Sequence, residues 1–106
     1  MKYNHLRRYR RRSMFTQSEI AFLLNIESEP IISRFEKARQ LPRLQIIFGY
    51  QAIFDVPAHE LFPRLYQETT NCVVERSHML IEKLKTDPDN PHFGRKVQIL
   101  NILASK

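Results

Sequence analysis

The strongest constraint on this chain is the spacing of its apolar residues, which recur every three to four positions almost throughout and so call for helices. The periodic pieces are short and are cut by turn-forming residues, so none would be stable in isolation. They must pack on one another, and the expected class is all-α. A first helix carries Leu6, Tyr9 and Arg10 on one side and ends near Ser13. Thr16 followed by Glu19 is a capping-box pair that opens a second helix over 17–24, with Ile20, Ala21, Leu23 and Leu24 inward. Asn25 can close that helix in the left-handed conformation, and Ile26 pins the turn.

Ser28 is placed to cap a third helix, and Pro30 is tolerated in its first turn, where a missing N–H breaks no helical bond. Ile32 and Phe35 face inward, and the helix stops near Lys37 or Ala38. A fourth helix after Pro42 is expected to turn Leu44, Ile47, Phe48 and Ala52 inward, with Tyr50 as a further inward candidate, until Asp55-Val56-Pro57 breaks it. A short fifth helix holds Leu61 and Phe62. Pro63 opens a sixth helix, with Leu65, Tyr66, Thr69, Val73, Leu80 and Leu84 on its apolar side and Cys72 read as a small core residue. The loop over 86–91 leads to a last helix carrying Phe93, Val97, Leu100 and Leu103. The expected organisation is a five-helix domain over 1–62 followed by a C-terminal helical hairpin over 63–106.

Charge is distributed unevenly. Ten basic residues face four acidic ones through Gln45, and seven face seven thereafter, so the whole net charge of +6 belongs to the first half. A polyanion is the partner such an asymmetry suits. The single cysteine allows no internal disulfide framework and fits a reducing cytosol, hence an expected cytoplasmic location. No apolar stretch is long enough for a membrane span, and no apolar segment follows the N-terminal arginines to make a signal peptide. The four histidines lack metal-site spacing, the two glycines form no phosphate loop, and no nucleophile motif is present. The expectation is therefore no enzyme, no cofactor and no metal.

A short helix, a tight turn and a second short helix let one helix cross the phosphates while the next enters the major groove. The third helix would be the reader, its outward positions being Glu29, Pro30, Ile31, Ser33, Arg34 and Lys37. Arg34 alone among them can grip a guanine edge with two hydrogen bonds, worth about 1–3 kcal/mol of discrimination. Glu29 could accept from a cytosine amine or simply be repelled by phosphate. Gln17 stands where its amide can meet a phosphate, and Arg39 and Arg43 follow the reader helix for further backbone contacts. Arg7, Arg8, Arg11 and Arg12 would raise affinity without choosing sequence.

The segments Leu6-Arg7-Arg8-Tyr9-Arg10, Phe15-Thr16-Gln17-Ser18-Glu19-Ile20-Ala21, Ile32-Ser33-Arg34-Phe35-Glu36, Pro42-Arg43-Leu44 and Val56-Pro57-Ala58-His59-Glu60-Leu61-Phe62 occur in order. Together they resemble the lambda-repressor/Cro-like, or XRE, family of helix-turn-helix DNA-binding proteins. The resemblance implies a five-helix domain in which Thr16 and Gln17 anchor a phosphate and Ser33 and Arg34 face DNA. It also implies that Arg10 pairs with Glu36 behind the reader helix. This chain departs from the pattern in a longer turn before the third helix, with Glu27 as the extra residue. It also has Glu29-Pro30 at the start of the reader and Ala38 where the family has glycine. The function implied is transcriptional regulation on double-stranded DNA, with the chain acting as a homodimer. The alternative is a protein-interaction module, antitoxin-like or an adaptor. The C-terminal helices are expected to supply the dimer contact or to take a protein partner, the competing arrangement being that they pack back on the first domain.

Overall fold

A computed structural model describes residues 3–106 of the chain. Among them it contains seven α-helices and no strand: α1 Leu6–Arg12, α2 Gln17–Leu23, α3 Glu29–Glu36, α4 Leu44–Phe54, α5 Ala58–Leu61, α6 Pro63–Lys85 and α7 Phe93–Ala104. The chain divides into two compact units, one ending at Tyr66 and one spanning Gln67–Lys106. The division falls inside α6, four residues beyond the boundary expected at Phe62.

The ends of the short helices follow from particular side chains. Thr16 and Glu19 form a full capping box: the Glu19 N–H donates to the Thr16 hydroxyl (3.1 Å) and the Thr16 N–H to the Glu19 carboxylate (2.8 Å). α2 closes on Asn25 at φ 58°, with Ile26 N–H reaching back to Ala21 O (2.8 Å) and Asn25 N–H to Phe22 O (3.1 Å). α3 closes in the same way on Ala38 at φ 57°, through Arg39 N–H to Arg34 O (2.9 Å) and Ala38 N–H to Phe35 O (3.1 Å). Asparagine tolerates that conformation, whereas alanine adopts it against steric resistance from its Cβ. Ser28 occupies the N-cap of α3, but its hydroxyl makes no capping bond.

The core of the first unit is built around Leu6, Ile20, Ile32, Tyr50 and Leu61, all fully buried, with Ala21, Phe35, Ile46 and Phe62 beside them. Each large aliphatic side chain sequestered in this way contributes about 1.5–3 kcal/mol. Aromatic rings bind α1, α3 and α4 together: Tyr9 stacks on Phe54 (5.8 Å), Phe54 on Tyr50 (5.9 Å), and Tyr50 meets Phe35 edge-on (6.5 Å). Gly49 permits a close approach, since a Cβ there would stand 2.5 Å from the Leu24 side chain.

Three expected inward faces are corrected. In α4 the buried residues are Ile46 and Tyr50, while Leu44 and Phe48 are more than half exposed. That segment is apolar nearly all round, so periodicity could not choose its face; the aromatic stack with Tyr9 and Phe35 did. In α2, Ile20 and Ala21 are buried but Leu23 is exposed, because so short a helix offers α3 only a narrow strip. In α6 the buried residues are Ser77, Ile81 and Leu84; Val73, Leu80 and Cys72 are exposed, so Cys72 is not a core residue.

The second unit has its own small core, Ile81 and Leu84 of α6 against Leu100 of α7, flanked by Phe93, Val97, Leu103 and Ala104. The Ser77 hydroxyl, buried in this unit, donates to Val74 O (2.6 Å), which satisfies it locally.

Candidate nucleic-acid interface

α3 is held from behind by one carboxylate. Glu36 Oε2 accepts from Arg10 Nε (2.5 Å), and its Oε1 accepts from both Arg10 Nη2 (3.1 Å) and Gln17 Nε2 (3.1 Å). Arg10 Nη1 donates in turn to Phe15 O (3.1 Å). One acidic side chain on α3 thus ties α1, the turn after it and α2 into a single frame. The Glu36 side chain is only 3% exposed and that of Arg10 13%, so the charges depend on each other for solvation. The hydrogen bond to Glu36 raises the Arg10 pKa above its ordinary value, against the opposing effect of burial.

Tyr50 lies behind this pair. Its hydroxyl is buried without a hydrogen-bond partner, and desolvation, helped by the nearby Glu36 charge, raises its pKa while Arg10 partly offsets the rise. A second tie is Asn4, whose amide donates to Phe35 O (2.9 Å) at the end of α3 and whose Oδ1 accepts from Leu6 N–H (3.0 Å) at the start of α1. Neither Asn4 nor the Gln17–Glu36 bond was anticipated. The Asn4–Phe35 and Gln17–Glu36 bonds join residues far apart in sequence, which no local pattern encodes.

The frame leaves an outer face on α3. Glu29, Pro30, Arg34 and Lys37 are exposed, and Ser33 is half-buried. Ile31 is half-buried and packs against the core, so only part of its side chain is open on this face. Arg39 and Arg43 are exposed in the segment that follows, Arg43 at the N-cap of α4. On α1, Arg7, Arg8, Arg11 and Arg12 are exposed while Arg10 is turned inward. The Arg12 guanidinium lies 5.5 Å from the Tyr9 ring centre, a cation–π contact that orders it.

The two expected phosphate anchors on α2 are already engaged internally. The Thr16 hydroxyl accepts from Glu19, and Gln17 spends one amide hydrogen on Glu36, leaving its second free to donate elsewhere. Among the described residues, no group of three His, Cys, Asp or Glu side chains could hold a metal ion, and no helix is long and apolar enough to cross a membrane. No protein-family profile matches this chain, and no curated protein matches it either.

Proposed function

We propose that this chain is a DNA-binding transcriptional regulator whose α2 and α3 act as a helix-turn-helix, with α3 entering the major groove. The observation that carries the reading is the asymmetry of α3. Its inner side is locked through Glu36 to Arg10 and Gln17, while Arg34 and Lys37 stand exposed on its outer side. A reader helix needs both properties, a fixed attitude and a free cationic edge.

In this reading Arg34 contacts base edges, with Ser33 and Glu29 beside it as further base-contacting positions, and Ile31 offers only its exposed part to a thymine methyl. Lys37, Arg39 and Arg43 neutralise phosphates on one flank, and Arg7, Arg8, Arg11 and Arg12 do so on the other. Gln17 adds its remaining amide hydrogen, and Thr16 contributes through the capped turn that holds Gln17. The sequence resemblance to the lambda-repressor/Cro-like family supports the same assignment. Two copies on two half-sites complete it, because a dimer doubles the sequence read.

A second reading is an interaction module with non-selective DNA affinity. It is favoured by Glu29 and Pro30, which present an acidic, rigid surface at the exposed start of α3. Gel-shift titration against genomic fragments separates the two. The regulator retains particular fragments when unrelated duplex is added in large excess, and the module loses them all.

A further inference from the structure

The α6–α7 unit carries a groove that DNA binding does not use. Its floor is Leu84 and Leu100, with Leu80 and Ile99, both 44% exposed, as walls, in a depression of about 360 Å³. Leu80 also lines an adjoining depression of about 420 Å³ with Met79, Arg76 and Lys83. Lys96, whose ammonium donates to the Asn90 side chain (2.8 Å), borders the first. The result is an apolar trough with cationic groups along its rim.

No carboxylate among the described residues lines either depression. Glu75 and Glu82, at about 100° per residue, stand roughly 140–160° round α6 from Leu80 and about 40–60° from Met79. Glu82 is moreover paired with Lys85 (3.2 Å). The charged side chains that line the two depressions, Arg76, Lys83 and Lys96, are all cationic. Arg76 and Lys83 are seven residues apart, about two helical turns or 10 Å along α6.

We propose that this groove docks an acidic amphipathic helix of a partner protein. Leucine-type residues at i, i+3 or i+4, and i+7 fill the trough, and carboxylates about two turns apart meet Arg76 and Lys83. A second copy of the chain is the poorer occupant, because pairing through this face would bring two cationic linings together. Nucleic acid gains nothing from a floor of leucine and isoleucine, and a bilayer surface does not fit into a concave trough.

The test uses the full chain and a fluorescent 18-residue peptide of leucines at helical-face spacing among glutamates, with a scrambled peptide of equal composition as control. Fluorescence polarisation gives affinity, and backbone amide NMR shifts give location. Saturable one-to-one binding is expected, at least tenfold tighter than the scrambled control, with shifts centred on Leu80, Leu84 and residues 96–100. Leu80→Asp, at an exposed position, lowers affinity at least tenfold, and Lys83→Glu, on the surface and away from the core, at least threefold. Arg11→Glu changes it less than twofold.

The proposal is overturned if the scrambled peptide binds equally or if the shifts fall on α3. It is equally overturned if sedimentation shows the groove closed by a second copy. The same holds if Lys83→Glu weakens binding to phosphatidylglycerol vesicles or duplex DNA and leaves peptide binding intact. None of these arms depends on DNA recognition, so the two readings can fail separately.

Discussion

Replacing Arg10 with methionine isolates the interaction that orients α3. The substitution keeps most of the aliphatic stem and removes the guanidinium, leaving the Glu36 carboxylate 3% exposed with Gln17 as its remaining donor at 3.1 Å, and leaving Phe15 O without its partner. Removing one member of a buried pair costs about 3–5 kcal/mol. Arg10 is itself 13% exposed, which gives Glu36 some access to water, so the lower end of about 3 kcal/mol applies. For a unit of this size that loss lowers Tm by on the order of 15 °C.

Glu36→Leu should cost less, about 2 kcal/mol, because the longer Arg10 side chain can swing its charge toward solvent. The double variant loses both charges and leaves none buried, so it should be more stable than the sum of the single losses by about 2 kcal/mol. Urea titration followed by circular dichroism, on the wild type and all three variants, completes the cycle. Additive losses, or an Arg10→Met cost below about 1 kcal/mol, would refute the claim that this pair holds the frame.

Ala38→Gly should stabilise the chain by about 1 kcal/mol in the same titration, since it relieves a left-handed alanine at φ 57°; a loss of stability would contradict the strain. Tyr50→Phe deletes a buried hydroxyl without a partner and should be neutral or stabilising by up to about 1 kcal/mol at pH 7. The Tyr50 pKa is raised on folding, so the chain's stability does not depend on this group's titration below the unfolded value near 10 and falls as pH climbs from there toward the folded one. Alkaline denaturation monitored by circular dichroism should therefore be shallower in the Phe variant, and identical curves would count against this. On DNA, Arg34→Ala should reduce discrimination between sites, while Arg12→Ala should flatten the salt dependence by about 0.9 log units per log salt and spare selectivity. Equal effects of both on selectivity would remove Arg34 from the reading role.

Helix positions were legible in the sequence because their ends carry local chemistry. Thr16 with Glu19 and the Asp55-Val56-Pro57 break act on their immediate neighbours, and Asn25 adopts the left-handed conformation that its side chain tolerates. The buried face of α4 was not legible. With Leu44, Ile46, Ile47, Phe48 and Tyr50 nearly consecutive, the aromatic contacts to Tyr9 and Phe35 choose the side. Exposed arginines were readable as charge. That Gln17 is tied to Glu36, and that Ile31 leans into the core, follow from packing between elements and left no local trace.

Selection of bound duplexes from a random-sequence pool tests the central claim most directly. The account predicts enrichment of a consensus with two related half-sites about one helical turn apart, and loss of part of that consensus with Arg34→Ala. A pool that stays unenriched after repeated rounds, with binding abolished by moderate salt alone, would contradict it.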